Sequence, residues 1–179
     1  MKLHKNIEYY VVTVLIFILL KLGFKYADQE DVIFLLKPTD MLINLITGSS
    51  SIYIETQGYY HEQLNIIVDK SCAGFNFWIL SFTMITFLFL KYTRSHLQKI
   101  VSILIALISA FFLTLLVNTS RIFVSIITQS KLSDILNLKA NIIHEGIGII
   151  INLSFLILTY LIIEKFINTY NKKDHSKIA

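Results

Sequence analysis

Three side chains in this chain of 179 residues have the types that acyl transfer through a thioester needs: Cys72 as a nucleophile, Arg121 as a permanent cation and His144 as a proton carrier. Cys72 sits in Ser71-Cys72-Ala73-Gly74, Arg121 closes Asn118-Thr119-Ser120-Arg121, and His144 opens His144-Glu145-Gly146-Ile147-Gly148. Each also has an ordinary explanation. A single cysteine excludes an intrachain disulfide, a CxxC redox pair and an all-thiolate metal site, and leaves a buried small hydrophobe, a lipidation site or a nucleophile. Arg121 can equally be a topological anchor or a contact for lipid phosphate, and His144 an interfacial hydrogen-bonding group. His4, His61, His96 and His175 fall in tails and loops and receive no role. No metal or organic cofactor is implied.

The elements that must position these residues follow from composition. Hydrophobic residues make up 55% of the chain against 16% charged, with a mean hydropathy of +0.65. Soluble domains carry roughly 45–50% apolar and about 25% charged residues, so the balance points to a membrane protein and away from disorder, nucleic-acid binding or a water-soluble enzyme. The net charge of +4 comes from sixteen basic and twelve acidic residues with no long basic run. The expected fold class is an all-α polytopic membrane protein, one domain of four spans with a short amphipathic helix and a small hairpin on the outer face.

Charges and breakers delimit the spans as residues 9–24, 72–90, 100–117 and 146–163. The stretch 72–90 is 19 residues without a charge, about 28 Å at 1.5 Å per residue, which matches the bilayer core. The first is the weakest, because Lys21 interrupts it. No small-x-small cleavage site follows, so it reads as an uncleaved anchor with Lys21 snorkelling. Lys2 and Lys5 precede the first span, Lys91, Arg94 and Lys99 lie between the second and third, and Lys165, Lys172, Lys173 and Lys177 follow the fourth. Cytoplasmic loops are enriched in Lys and Arg, which puts these three segments and both termini inside. Residues 25–71, with three Lys against seven acids, belong outside the cytoplasmic membrane, and residues 165–179 form a cytoplasmic tail.

Within the outer segment, Pro38-Thr39-Asp40 reads as a helix start. Met41, Leu42, Leu45 and Ile46 follow at helical spacing until Gly48, either on the membrane surface or packed on the spans. Residues 51–68 alternate apolar and polar positions around Gln57-Gly58, as a hairpin leading to Cys72 does. This topology brings Cys72, Arg121 and His144 to one level at the outer face. Asp69 or Ser71 can cap the second span, leaving Cys72 in its first turn, and His144 likewise lies at a helix start, so two helix N-termini would favour a thiolate or an oxyanion. Asn118 and Arg121, three apart, share a helix face. Gly74, Gly146 and Gly148 allow helices to approach closely.

The ordered set C-x-G, N-x-x-R and H-x-x-x-G, each motif at the outer end of a span, resembles the exosortase/archaeosortase family across roughly Pro38 to Ile163. Members are polytopic membrane proteins proposed to act as cysteine transpeptidases on carboxy-terminal sorting tails of exported proteins, and this chain looks like a minimal core of the family. The resemblance implies catalytic roles for Cys72, Arg121 and His144, with Asn118, Gly74 and Gly148 supporting. It also implies a secreted protein substrate, with a lipid or glycan amine or hydroxyl, or water, as acceptor. Two other readings stand beside it. One is a non-catalytic small subunit of an export or polysaccharide assembly system, in which Arg121 and His144 bind lipid headgroups. The other is a thiol-dependent lipid acyltransferase.

The charge asymmetry makes the topology testable with single cysteines placed at Ser95 and at Thr56. A membrane-impermeant thiol reagent added to intact cells is expected to label the Thr56 site and to spare the Ser95 site. Labelling at Ser95 would overturn the orientation.

Overall fold

The computed structural model describes residues 6–93, 95–136 and 140–176, and the side chains of these outside 129–141 and 170–176. Lys2, His4, Lys5, Arg94 and Lys177, and the side chains of Lys172, Lys173 and His175, lie outside the described residues. Among the described residues there are five α-helices and a three-stranded sheet: α1 (Ile7–Tyr26), α2 (Ile33–Thr47), β1 (Ile52–Ile54), β2 (Gly58–His61), β3 (Ile66–Val68), α3 (Phe75–Tyr92), α4 (His96–Leu136) and α5 (Ala140–Ser176). Four of the helices, α1, α3, α4 and α5, are long and apolar enough to cross a membrane. The protein is an all-α polytopic membrane protein with a small sheet at one end.

The spanning helices run alternately up and down. At one end Asn6 Nδ2 donates to the Leu90 carbonyl, Tyr9 meets His96, and the Tyr92 hydroxyl donates to Asn168 Oδ1 at 3.2 Å, which gathers the start of α1, the α3–α4 turn and the far part of α5. At the other end Phe24 stacks on Phe75 with ring centroids 4.3 Å apart, and α2 and the sheet cover the start of α3. Lys21, within the first span, donates to Asn76 Oδ1 in the first turn of α3 at 2.6 Å. α3 is the central helix: it packs on α1, α4 and α5. Ala106 and Ala110 on α4, fully buried and one turn apart, let α4 close onto Phe82 and Ile85 of α3. Side chains such as Leu19, Leu104, Ile149 and Leu153 point outward, as lipid-facing helices require.

Several boundaries differ from those the uncharged runs suggested. α4 does not end at Val117 but continues for 41 residues, about 60 Å, through Arg121 to Leu136. No Gly or Pro interrupts His96–Leu136, so nothing terminates the helix where its apolar run ends. α5 likewise begins at Ala140 rather than Gly146, which moves His144 from a helix start into the second turn. α3 begins later than Cys72: Lys70–Cys72 form a separate 3-10 turn, and Gly74, left-handed at φ 70°, redirects the chain into the helix at Phe75.

α2 also departs from the expectation. Pro38 lies inside the helix, not at its start, although it cannot donate to the carbonyl one turn back. Val32, Leu35, Leu36 and Ile43 are at most 1% exposed against the sheet and α4, and their burial, roughly 1.5–3 kcal/mol for each large side chain, outweighs the missing bond. Met41, Leu45 and Ile46 stay exposed. Gly48, left-handed at φ 68°, closes the helix as its position suggested.

The expected hairpin is a three-stranded antiparallel meander in the order β1-β2-β3, with Tyr53 opposite Tyr59 and Tyr60 opposite Ile67. The third strand exists because Glu62–Leu64 form a 3-10 turn and Asn65 takes a left-handed conformation, φ 50°, that reverses the chain. A buried polar cluster ties this sheet to α2. His61, fully buried on β2, lies 2.9 Å from Asp40 Oδ1 through Nε2 and 2.9 Å from Ser49 Oγ through Nδ1. Burial, helped by the Asp40 and Tyr53 charges, raises the pKa of the neighbouring Tyr59 phenol.

His61→Ala leaves Asp40 and Ser49 buried with fewer partners, which typically costs about 1–3 kcal/mol. A lower unfolding temperature of the detergent-solubilised protein is the expected outcome. An unchanged temperature would show that the cluster is not what joins α2 to the sheet.

Candidate active site

The site is built where the sheet hands the chain to α3. Asp69 is the hinge: its carboxylate accepts from the backbone N–H of Ser71 at 2.9 Å and of Cys72 at 3.3 Å, and from the Ser71 hydroxyl at 2.6 Å. The N–H groups of Cys72 and Ala73 also bond back to the carbonyls of Asp69 and Lys70, at 2.9 and 3.2 Å. These donors are occupied within the turn. Cys72 therefore does not hold the position in a first α-turn that the capping argument assigned to it, and the helix-terminus contribution expected there falls to residues after Gly74. The same correction applies to His144, whose position in the second turn of α5 leaves it without the orphan donors of a helix start.

α4 brings the remaining groups to Cys72. Asn118, 2% exposed, donates through Nδ2 to the Cys72 carbonyl oxygen. Gly74 makes that contact possible: a Cβ there would stand 3.0 Å from Asn118 Cγ and 3.1 Å from Thr114 Cγ2, and its φ of 70° is one that other residues adopt at a cost. Gly148 performs the matching service on α5. A Cβ at Gly148 would stand 3.2 Å from Arg121 Cδ, so the arginine stem lies across the helix at that point. The three motif segments thus interlock, with α4 laid against one glycine from the turn before α3 and another from α5.

A cavity of about 370 Å³ opens between β3 and the α4–α5 pair, lined by Cys72, Ile122, Ser125, His144 and Glu145 together with Ile66–Val68. The structure brings Cys72 and His144 to the same wall of space. Arg121 stands one turn before Ser125, close enough to act electrostatically on both Cys72 and His144. Its Nε is buried without a hydrogen-bond partner, and among the described residues no carboxylate pairs with it. Among the described residues no three His, Cys, Asp or Glu side chains are gathered as a metal site requires.

One residue of this site was not singled out in the sequence, and another has a larger part than the sequence suggested. Ser125 Oγ lies 2.7 Å from His144 Nδ1 and is 3% exposed, so it fixes the imidazole and leaves Nε2 as the nitrogen available to the cavity. Its signal was present, since Asn118, Arg121 and Ser125 fall at i, i+3 and i+7 and share one helix face. Asp69 was read only as a cap, whereas its charge also reaches both Cys72 and His144.

The two glycines predict different outcomes on substitution. Gly74→Ala combines a left-handed backbone, about 1–2 kcal/mol for an L residue, with the Asn118 contact, and should lower the unfolding temperature clearly. Gly148→Ala meets only the flexible stem of Arg121 and should leave the temperature within a few degrees while slowing alkylation of Cys72 by iodoacetamide. Equal destabilisation by both would contradict the packing described.

No family model, curated protein or solved structure matches the chain.

Proposed function

We propose that the protein is a membrane-embedded cysteine transpeptidase or peptidase of the exosortase type. It cleaves a carboxy-terminal sorting signal of exported proteins at the outer face of the cytoplasmic membrane. The observation that carries this reading is the shared cavity of Cys72 and His144, with the imidazole held by Ser125 and an arginine lacking a carboxylate partner beside them. A thiol enclosed only for packing would not need a fixed imidazole on the same cavity, with an arginine one helical turn from the serine that holds it.

In the reaction His144 Nε2 takes the Cys72 thiol proton and the sulfur attacks the scissile carbonyl carbon. Arg121 donates to the oxyanion that forms, and His144 Nε2 delivers a proton to the departing amine as the C–N bond breaks. A thioester on Cys72 results. An amine or hydroxyl of a lipid or glycan, or water, then attacks it, His144 takes the attacking group's proton, and the thiol is released. With Nδ1–H donating to Ser125 Oγ, Nε2 is the nitrogen that takes and gives the proton in each step. The apolar exterior of α4 and α5 offers the substrate's hydrophobic tail helix a place to lie beside the site.

The test is processing, in cells, of an exported protein whose carboxy-terminal tail, an apolar helix followed by basic residues, is removed on cleavage. Cys72→Ala abolishes processing, and His144→Ala lowers the rate by about 10²–10⁴, the usual contribution of a general acid–base group. His144→Lys restores a cation and remains inactive, because it cannot exchange the proton near neutral pH. Arg121→Lys keeps charge but loses the planar fork and retains a small residue of activity. Processing at the wild-type rate by Cys72→Ala would sink the mechanism and leave the non-catalytic reading.

A further inference from the structure

β3 is the last strand of the sheet, and among the described residues no strand pairs with its far side. That open side faces the cavity holding Cys72 and His144. The Val68 carbonyl points across to Gly58 of β2, where a Cβ would collide with it. Successive residues of an antiparallel strand send their N–H and C=O groups to opposite edges, so Ile67 presents both of its backbone groups away from β2, toward the opening. The wall opposite carries Ile122 and Ile126 as its apolar part, beside Ser125, His144 and Glu145. A donor and an acceptor spaced as in a strand, facing apolar side chains, are the recognition elements for an extended polypeptide.

We infer that an extended segment of the substrate polypeptide pairs with the open edge of β3 as a fourth strand, which carries its scissile carbonyl to Cys72. This rests on the reading of Cys72 as the reacting thiol. Ile67 N–H donates to a substrate carbonyl and Ile67 C=O accepts from a substrate amide, while the alternate substrate side chains fall against Ile122 and Ile126. Recognition at this point is by main chain. The enzyme therefore requires the segment around the scissile bond to be extended and free of proline at the paired position, and tolerates variation in its side chains.

The probe is acetyl-Val-Ala-Ala chloromethyl ketone, compared with chloroacetone, which has the same reactive group and no peptide. In both, the Cys72 sulfur displaces chloride from the methylene carbon, and the rate is read by mass spectrometry of the intact detergent-solubilised protein. Two strand hydrogen bonds are expected to make the peptide react about tenfold faster than chloroacetone. Methylating the peptide amides one at a time should remove the acceleration at one position. Ile67→Pro, which lacks the donated N–H, should bring the ratio of the peptide rate to the chloroacetone rate down to about one, and Ile67→Thr should preserve the tenfold ratio. No acceleration in the wild type, or acceleration that survives every methylation or survives Ile67→Pro, overturns strand pairing. If those results accompany normal loss of processing in Cys72→Ala, only the docking is wrong. A Cys72 that neither reagent alkylates overturns both readings.

Discussion

The contact on which the site depends is the one between Asn118 and the carbonyl of Cys72. A buried backbone carbonyl in a turn needs a donor, and the turn spends its own N–H groups on Asp69 and Lys70. Asn118 supplies the donor from another helix, and it can do so only because Gly74 has no side chain. One hydrogen bond thereby fixes the distance between α3 and α4 at the level of the thiol. Arg121, one turn further, and Ser125, one turn beyond that, inherit their positions from it. The sheet has a related function: β3 leads directly into Asp69, so the meander holds the strand that approaches Cys72 as firmly as α4 holds the residues behind it.

The two long helices explain why so small a protein can form a cavity at all. Because α4 and α5 continue past their apolar stretches, they stand beside the sheet as a wall that a short-span bundle would lack. The polar residues on that wall are few and are paired with glycine or serine partners on a neighbouring helix, an arrangement suited to surroundings with little water. By contrast, α1 packs on the rest along one side, through Tyr10, Thr13, Ile16, Phe17 and Phe24 with polar contacts near its ends, and its remaining surface is exposed.

The spans were legible because an uncharged run of bilayer length has few alternatives, and the relative level of Cys72, Arg121 and His144 followed from them. Helix ends were not legible, since hydropathy reports where lipid is tolerated and hydrogen bonding continues until a breaker or a cap stops it. Arg121 and His144 consequently sit within helices, not beyond them. Pro38 misled in the opposite direction: a local signal for a helix start yielded to the burial of Leu35 and Leu36, a tertiary effect that no local pattern reports. Asn65 carried the information for the third strand, in a left-handed turn with no glycine to mark it. Ser125 went unnoticed because serine in an apolar helix usually bonds to its own backbone, and only the position of α5 gives it a histidine to hold.

Asn118, Arg121 and Ser125 lie on one uninterrupted helix, within about 11 Å of axial rise. Their common direction is a matter of register. Adding or deleting a single residue between Asn118 and Ser125 would turn everything beyond it by about 100°, swinging Ser125 away from His144 while Asn118 kept its hold on Cys72. Loops away from the Asp69–Gly74 turn carry no such register. Across descendants of this sequence, length in the stretch 118–125 is therefore the character least free to drift, and side-chain identity on its lipid-facing side among the most.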